Sequence, residues 1–242
     1  MNIEPLAQFE LKTFIPIRIG PVDISLTNSS ISMILATVLA LFLLFVMTRR
    51  LRIIPHAAQS MIEVFYNFIV NMVYETIGTK GEKIIPFIFS LFLFILFGNL
   101  LGLFPYTFTF TSHLSVVGTM ALLGLGLSTI IGIYHQGWRW LRVFFPAGIP
   151  VLLAPIIVPI EIISFLSKPF SLTVRLVMNM VVGHIMLDVI AAFVVALGFA
   201  GFVPLFFAGV LIIFEAGIAL LQAYIYTILT CIYLSESFES HH

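Results

Sequence analysis

The sequence predicts an all-α membrane protein with about five membrane-embedded helices and one amphipathic surface helix. Hydrophobic residues make up 61% of the 242 residues and charged residues only 9%, whereas soluble domains carry about 25% charged residues. Several apolar stretches reach the roughly 20 residues that a helix needs to cross a bilayer. The polar side chains within the longest of these stretches recur at helical spacing.

The N-terminal segment, residues 1–28, mixes acidic and basic side chains with three prolines. No basic stretch is followed there by an apolar core, so we expect no cleavable signal peptide. Residues 29–48 form the first predicted span, which ends at three arginines within positions 49–52. We expect residues 1–242 to form one polytopic membrane domain.

Residues 55–79 predict an amphipathic helix. Glu63, Asn67, Asn71 and Glu75 recur every four residues, with apolar side chains between them. A polar stripe along an apolar helix is typical of a helix at an interface. We therefore place this helix on or near the membrane surface, or against another subunit.

The remaining apolar stretches differ in length. Residues 84–104 and 113–134 have the length of ordinary spans, whereas 150–195 and 203–234 are too long to cross the bilayer perpendicularly. Pro169 lies inside the first long stretch, and proline tends to kink a helix. We expect the last two helices to be long and strongly tilted or bent.

Basic residues predict the orientation. If the N-terminus is outside, the inner segments 49–83 and 135–149 carry seven Lys and Arg side chains and the outer segments carry two. An excess of basic residues marks the inner side of a membrane. We therefore predict that the N-terminus lies outside and that, after five crossings, the C-terminus lies inside.

Arg175 is the most informative residue at membrane depth. A guanidinium keeps its charge at physiological pH, and burying it in hydrocarbon costs about 3 kcal/mol or more. Glu161, Lys168 and Arg175 are seven residues apart, which places three charges along one stripe of a continuous helix. Small polar side chains accompany this stripe at Ser164, Ser171 and Asn179. Such a stripe predicts a wet cavity or a polar partner.

His184 and Asp188 follow on the same stretch, four residues apart, so their side chains are able to touch. On an ideal helix His184 lies about 180° around from Arg175 and about 13 Å further along the axis. We therefore expect His184 to open on the side of the helix opposite Arg175.

The last long stretch carries a second polar stripe. Glu215, Gln222 and Tyr226 are spaced by seven and four residues, with Ala219 between them. Glu215 is the single carboxyl of residues 203–234. A carboxyl next to an imidazole or a file of water is suited to proton transfer.

Each of these residues also has a purely structural interpretation. Arg175 could pair with Glu161 inside a helix bundle. His184 could bond to a backbone carbonyl, and Glu215 could bond to a serine. Lys168 could extend its ammonium group to the membrane interface.

Other features predict packing or the absence of a site. Gly98 and Gly102 match the small-xxx-small pattern of helix packing, and Cys231 is expected to be a buried, inert thiol. No His or Cys cluster has metal-site spacing and no phosphate-binding loop occurs, so we expect neither a metal nor a cofactor. The formal net charge of zero suggests no nucleic-acid partner.

Three runs, 98–105, 167–184 and 214–227, closely resemble the signature motifs of subunit a of F-type ATP synthases. The resemblance covers nearly the whole chain in helix length and order. It implies a stator subunit that carries protons through two offset half-channels, with its last two helices long, tilted and curved beside a ring of c subunits. It also implies subunit b of the peripheral stalk, the rest of the synthase and membrane lipids as partners.

The resemblance also assigns residues. It implies that Arg175 is the essential charge between the half-channels, that His184 and Glu215 form the outer relay, and that Glu161 belongs to the inner half-channel. Asn179 and Gln222 match polar residues beside the arginine and along the outer path. Further candidates are Asp188, Ser164, Ser171, Lys168 and Tyr226. The chain is then a non-catalytic subunit, and we favour a bacterial inner membrane over a mitochondrial one.

Three other functions compete with this interpretation. A secondary transporter predicts internal repeats and broken helices, and the sequence has neither. A scaffold subunit predicts no charge stripe at membrane depth, yet two polar stripes occur. A sodium-driven version of the same motor is closer, but the pairing of His184 with Glu215 favours protons because imidazole titrates near neutrality.

Overall fold

The computed structural model describes residues 13–16, 18–19, 22–23, 25–48, 57–104, 108–137, 144 and 153–238. The arginines of positions 49–52 and the segment 138–142, with its two tryptophans and two arginines, lie outside these residues. These two segments supply most of the basic residues on which the predicted orientation depends. The orientation therefore stays a prediction.

The N-terminal segment forms two short antiparallel strand pairs, which we did not predict from the sequence. β1 (Thr13–Ile15) pairs with β4 (Leu26–Thr27). β2 (Arg18–Ile19) pairs with β3 (Val22–Asp23) inside that outer pair. β-Branched residues at most of these positions favour extended backbone, but strands of two or three residues are too short to give an alternating pattern.

Six α-helices occupy the rest of the described chain. They are α1 (Asn28–Thr48), α2 (Ala57–Thr76), α3 (Ile85–Gly102), α4 (Leu114–Gln136), α5 (Ala154–Leu197) and α6 (Phe202–Phe238). Short 3₁₀ segments at Gly78–Ile84, Phe110–Ser112 and Gly198–Gly201 join or precede them. The predicted all-α membrane fold is confirmed, with the small strand pairs added to it.

Four stretches of the described chain are long and apolar enough to span a membrane. The last of them, Ala154–Ser237, contains both α5 and α6. The 44 residues of α5 correspond to roughly 66 Å of helix, which is about twice the thickness of the hydrocarbon core. Pro159 and Pro169 lie inside α5 without ending it. A helix of this length fits within a bilayer only when it is strongly tilted.

A tight turn joins α5 to α6. Gly198 has a φ of +54°, a left-handed conformation that favours glycine. At Gly201 a Cβ atom would overlap the Val194 carbonyl oxygen and would lie 3.2 Å from the Val194 carbonyl carbon. The two glycines therefore allow the chain to reverse within four residues and to place α6 back along α5.

The hydrophobic core lies between α3 and the α5–α6 hairpin. Phe92 and Ile95 of α3, Leu176 of α5, and Ala223 and Leu234 of α6 are fully buried in one cluster. α6 packs against α3, α4 and α5. The hairpin consequently has a packed side, which faces α3 and α4, and an open side.

The open side of the hairpin, which we call the open face, is lined by exposed apolar side chains. Those of α5 are Ile163, Phe170, Met178, Val182 and Met186, and those of α6 are Phe206, Val210 and Ile213. An apolar surface of this size on a membrane protein contacts lipid or another subunit. The polar groups on the open face decide whether lipid or another subunit covers it.

Candidate functional site

Arg175 lies on the open face. Its side chain is exposed, as are those of Ser171 and Met178, which lie within one helical turn on either side. Within the described residues the guanidinium makes no hydrogen bond or ion pair, and the alternative pairing with Glu161 does not occur. A permanent charge on an apolar face at membrane depth requires water or a polar partner.

The three charges at seven-residue spacing do not act as one group. Lys168 turns towards α6, where its Nζ lies 3.4 Å from Glu236 Oε1 and 5.8 Å from the centre of the Tyr233 ring. Glu161 is half-buried, and Ser164 is exposed. Lys168 therefore joins α5 to α6 through Glu236, a residue that the spacing of charges along α5 does not predict.

His184 faces the packed side of the hairpin. Its Nε2 lies 3.0 Å from the hydroxyl of Thr109, which precedes the 3₁₀ turn at 110–112. The ring also interacts electrostatically with Asp188, four residues along α5. The structure thus places His184 and Arg175 on different sides of the same helix. No pattern in the sequence points to the contact between Thr109 and His184.

Glu215 is buried on α6 and lies beside His184. The two side chains line one narrow cleft together with Leu103, Asn179 and Met180. Glu215 Oε1 has no hydrogen-bond partner among the described residues, so the alternative of a serine-bonded carboxyl is not seen there. The cleft therefore brings together an imidazole and a buried carboxyl with unused hydrogen-bonding capacity.

Gly183 allows this arrangement. A Cβ atom at position 183 would overlap Glu215 Oε1 and would lie 2.8 Å from Glu215 Cδ, much closer than the 3.5–4 Å of ordinary contact. α6 can therefore place a carboxyl against the backbone of α5 only because residue 183 has no side chain.

Buried polar atoms continue along α6 from Glu215. Asn99 of α3 donates a hydrogen bond from Nδ2 to the Ala219 carbonyl at 3.3 Å. Asn99 Oδ1, Gln222 Oε1 and the Tyr226 hydroxyl are buried and have no partner within the described part of the chain. Buried polar atoms of this kind normally bind water. The polar side chains from Glu215 to Tyr226 therefore form a row with unused hydrogen-bonding capacity between α3 and α6.

The prediction of helix packing through Gly98 and Gly102 is wrong. A Cβ atom at Gly98 would lie 2.9 Å from Phe110 Cε1, and one at Gly102 would lie 2.8 Å from Thr109 Oγ1. The two glycines therefore allow the segment that contains the 3₁₀ turn, and not a second helix, to pack closely against α3. The pattern was correct about close approach, but spacing alone does not identify what approaches. The glycine pattern also did not single out Asn99, which lies between the two glycines.

Among the described residues, no group of three or more His, Cys, Asp and Glu side chains is placed to hold a metal ion. Cys231 is free and fully buried. The chemistry available in the cleft is therefore that of an imidazole, a carboxyl, amides and hydroxyls. The imidazole and the carboxyl accept and release protons, and the amides and hydroxyls donate and accept hydrogen bonds.

Comparisons with known proteins place the whole chain beside one family. The family model described as ATP synthase A chain matches residues 30–235. The chain is 46% identical over 239 residues to the ATP synthase subunit a of Rhodospirillum rubrum, with 98% of this chain and 99% of that protein covered. It is 48% identical over 244 residues to the ATP synthase subunit a of Paramagnetospirillum magneticum, with the same shares covered.

Proposed function

The chain belongs to the ATP synthase A chain family, and on this premise we propose that it is the proton-translocating stator subunit of an F-type ATP synthase. The observation that carries the proposal is the separation of two sites on α5. Arg175 is exposed on the open face, whereas His184 and Glu215 share a cleft on the packed side. Two access routes on different sides of one helix are what a rotary proton path requires.

The outer half-channel ends at the cleft. A proton that arrives along the outer path binds to His184 or Glu215 and then passes to a carboxylate on the c-ring. Asn99, Gln222 and Tyr226 extend this path with water between them. The imidazole and the carboxyl are suited to this step because each binds and releases a proton at modest cost.

Arg175 acts on the ring carboxyl without carrying a proton itself. A guanidinium stabilises the ionised form of a neighbouring carboxyl by a factor of about 10 to 1000, so a protonated ring acid that reaches Arg175 releases its proton. The released proton leaves by the inner half-channel, past half-buried Glu161. The fixed positive charge also repels protons, which prevents direct passage from one half-channel to the other.

The open face supports a particular partner. An apolar surface with one uncompensated cation suits a bundle of apolar helices that presents a carboxylate, which is the chemistry of a c-ring. We place subunit b of the peripheral stalk elsewhere on the chain, and we propose a bacterial inner membrane with the N-terminus outside. Each proton that crosses contributes about 2.3 kcal/mol per 100 mV of membrane potential, so several protons must cross for each ATP.

The test is reconstitution of the complete synthase in vesicles. An imposed proton gradient is expected to drive ATP synthesis in sodium-free buffer, and vesicles whose synthase lacks this chain are expected to make none. A strict requirement for Na⁺ would favour the sodium-driven alternative. Synthesis in the absence of the chain would contradict the proposal altogether.

Gly183 gives a second prediction. Replacing it with alanine inserts a methyl group where the Glu215 carboxyl lies, and the carboxyl must then move away from the cleft. We expect proton-driven ATP synthesis to fall about tenfold or more, since a displacement of about 1 Å in a catalytic group can cost a factor of 100. The measurement is the initial rate of synthesis per assembled complex.

The matched control is Gly126→Ala on α4, where a Cβ atom would meet nothing within 4 Å. Alanine is the better helix former by about 1 kcal/mol, so this variant is expected to keep the full rate. If Gly183→Ala also ran at the full rate, Glu215 would not need its place against α5.

A further inference from the structure

We propose that the Thr109 hydroxyl positions the His184 ring and supplies a hydrogen bond to it in both of its protonation states. This role rests on the proton path proposed above, because it concerns how that path uses His184. The observation is the 3.0 Å distance between Thr109 Oγ1 and His184 Nε2, with Thr109 itself buried. Thr109 is then a positioning residue for proton transfer.

Thr109 is held in place from two sides. Its backbone carbonyl accepts a hydrogen bond from the Ser112 hydroxyl at 2.6 Å and another from the Ser112 N–H at 3.1 Å. Its side chain packs onto Gly102, where an added Cβ atom would lie 2.5 Å from Thr109 Cγ2. The hydroxyl therefore has a fixed location at the edge of the cleft.

A hydroxyl can donate one hydrogen bond and accept others at the same time. When Nε2 carries no proton, the hydroxyl donates to it. When Nε2 carries a proton, the N–H donates to Thr109 Oγ1, and the hydroxyl hydrogen turns towards the Gly102 carbonyl, 3.4 Å away. Rotation of one O–H bond therefore satisfies Nε2 in either tautomer of the neutral ring and in the imidazolium.

The charged groups around the ring are few in the described part of the chain. Asp188 faces it from α5 and Glu215 faces it across the cleft from α6. α3 and residues 108–113 contribute no charged side chain, and His113 is their one titratable group. When the imidazolium gives a proton to the Glu215 carboxylate, the Nδ1–H bond breaks and an O–H bond forms, because the Nε2–H is held by Thr109 Oγ1. The Thr109 hydroxyl neither gains nor loses a proton in this step.

Two substitutions separate the hydroxyl from the methyl group of Thr109. Thr109→Val keeps the methyl group that packs on Gly102 and removes the hydroxyl, whereas Thr109→Ser keeps the hydroxyl and removes the methyl group. We expect Thr109→Val to lower proton-driven ATP synthesis about three- to tenfold, the value of one net hydrogen bond. Thr109→Ser is expected to stay close to the unchanged rate.

The matched control is Thr111→Val, two residues along the same segment. Thr111 is buried and its hydroxyl has no hydrogen-bond partner among the described residues, so the control is expected to run at the full rate. All variants are measured as the complete synthase in vesicles, with the rate divided by the amount of assembled complex. ATP hydrolysis by the soluble sector checks that each complex is intact.

The outcomes divide cleanly. A slow Thr109→Val with a fast Thr109→Ser supports the proposal. A fast Thr109→Val overturns it, and so does equal impairment of both variants, since the packing of the side chain would then be what matters. Arg175→Ala, measured in parallel, distinguishes a failure of the proposed stator function from a failure of the proposed role of Thr109. If it is inactive while Thr109→Val is fast, the stator function stands and only the role of Thr109 fails.

Discussion

Replacing Arg175 with alanine is expected to abolish proton-driven ATP synthesis, with a loss of at least about 100-fold per assembled complex. Without the guanidinium, nothing on the open face favours the ionised form of an arriving ring carboxyl. The carboxyl then keeps its proton and carries it past the stator, so the proton gradient no longer produces a directed rotation. Loss of the fixed charge is also expected to let protons leak between the half-channels.

Arg175→Lys is the informative companion. Lysine keeps a positive charge, but it has a shorter reach and can lose its proton in a buried site. We expect it to stop leakage better than alanine does and to support little synthesis. Lys80→Ala, at an exposed position in the 3₁₀ segment before α3, is the control and is expected to keep the full rate. Undiminished synthesis in Arg175→Ala vesicles would contradict the mechanism.

Replacing Glu215 with glutamine is expected to slow proton flow about 100-fold, at the lower end of what one acid–base group contributes. Glutamine has nearly the same size and keeps the contact with Gly183, but its amide cannot take up and release a proton. The measurement is passive proton conduction through the membrane sector after removal of the soluble sector. ATP synthesis by the intact complex should fall in parallel.

Glu75→Gln is the matched control, because Glu75 is exposed on α2 and lies outside the cleft. It is expected to conduct protons at the unchanged rate. Glu215→Asp is expected to recover part of the lost rate, since it restores a carboxyl one methylene short of the cleft. Full conduction in Glu215→Gln would remove this residue from the path.

The sequence predicted the helices because their physics is local. Membrane-length apolar runs identify spans without any knowledge of their neighbours, and α5 and α6 were expected to be too long for a perpendicular crossing. The strand pairs at 13–27 were missed because two or three residues carry no periodic signal. α5 continues as one helix through Pro169, and the kink expected at this residue stays a prediction.

The candidate site likewise contains residues that were predicted from the sequence and residues that were missed. Arg175 and His184 belong to one helix, so their angular separation could be calculated from residue spacing alone. Asn99, Thr109 and Glu236 were missed because each acquires its role from a residue far away in the sequence: Asn99 meets Ala219, Thr109 meets His184 and Glu236 meets Lys168. Periodicity within one segment contains no information about such contacts.

The measurement that tests the central claim most directly is disulfide cross-linking between the Arg175 face and a ring helix. Cysteines are introduced at Ser171 and Met178, which flank Arg175 and are exposed, and opposite them beside the ring carboxyl, with buried Cys231 replaced by serine. Both positions are predicted to cross-link to the ring, whereas Thr119→Cys, exposed on α4, is not. Absence of cross-links from positions 171 and 178, together with a link from 119, would show that the guanidinium does not meet the rotor.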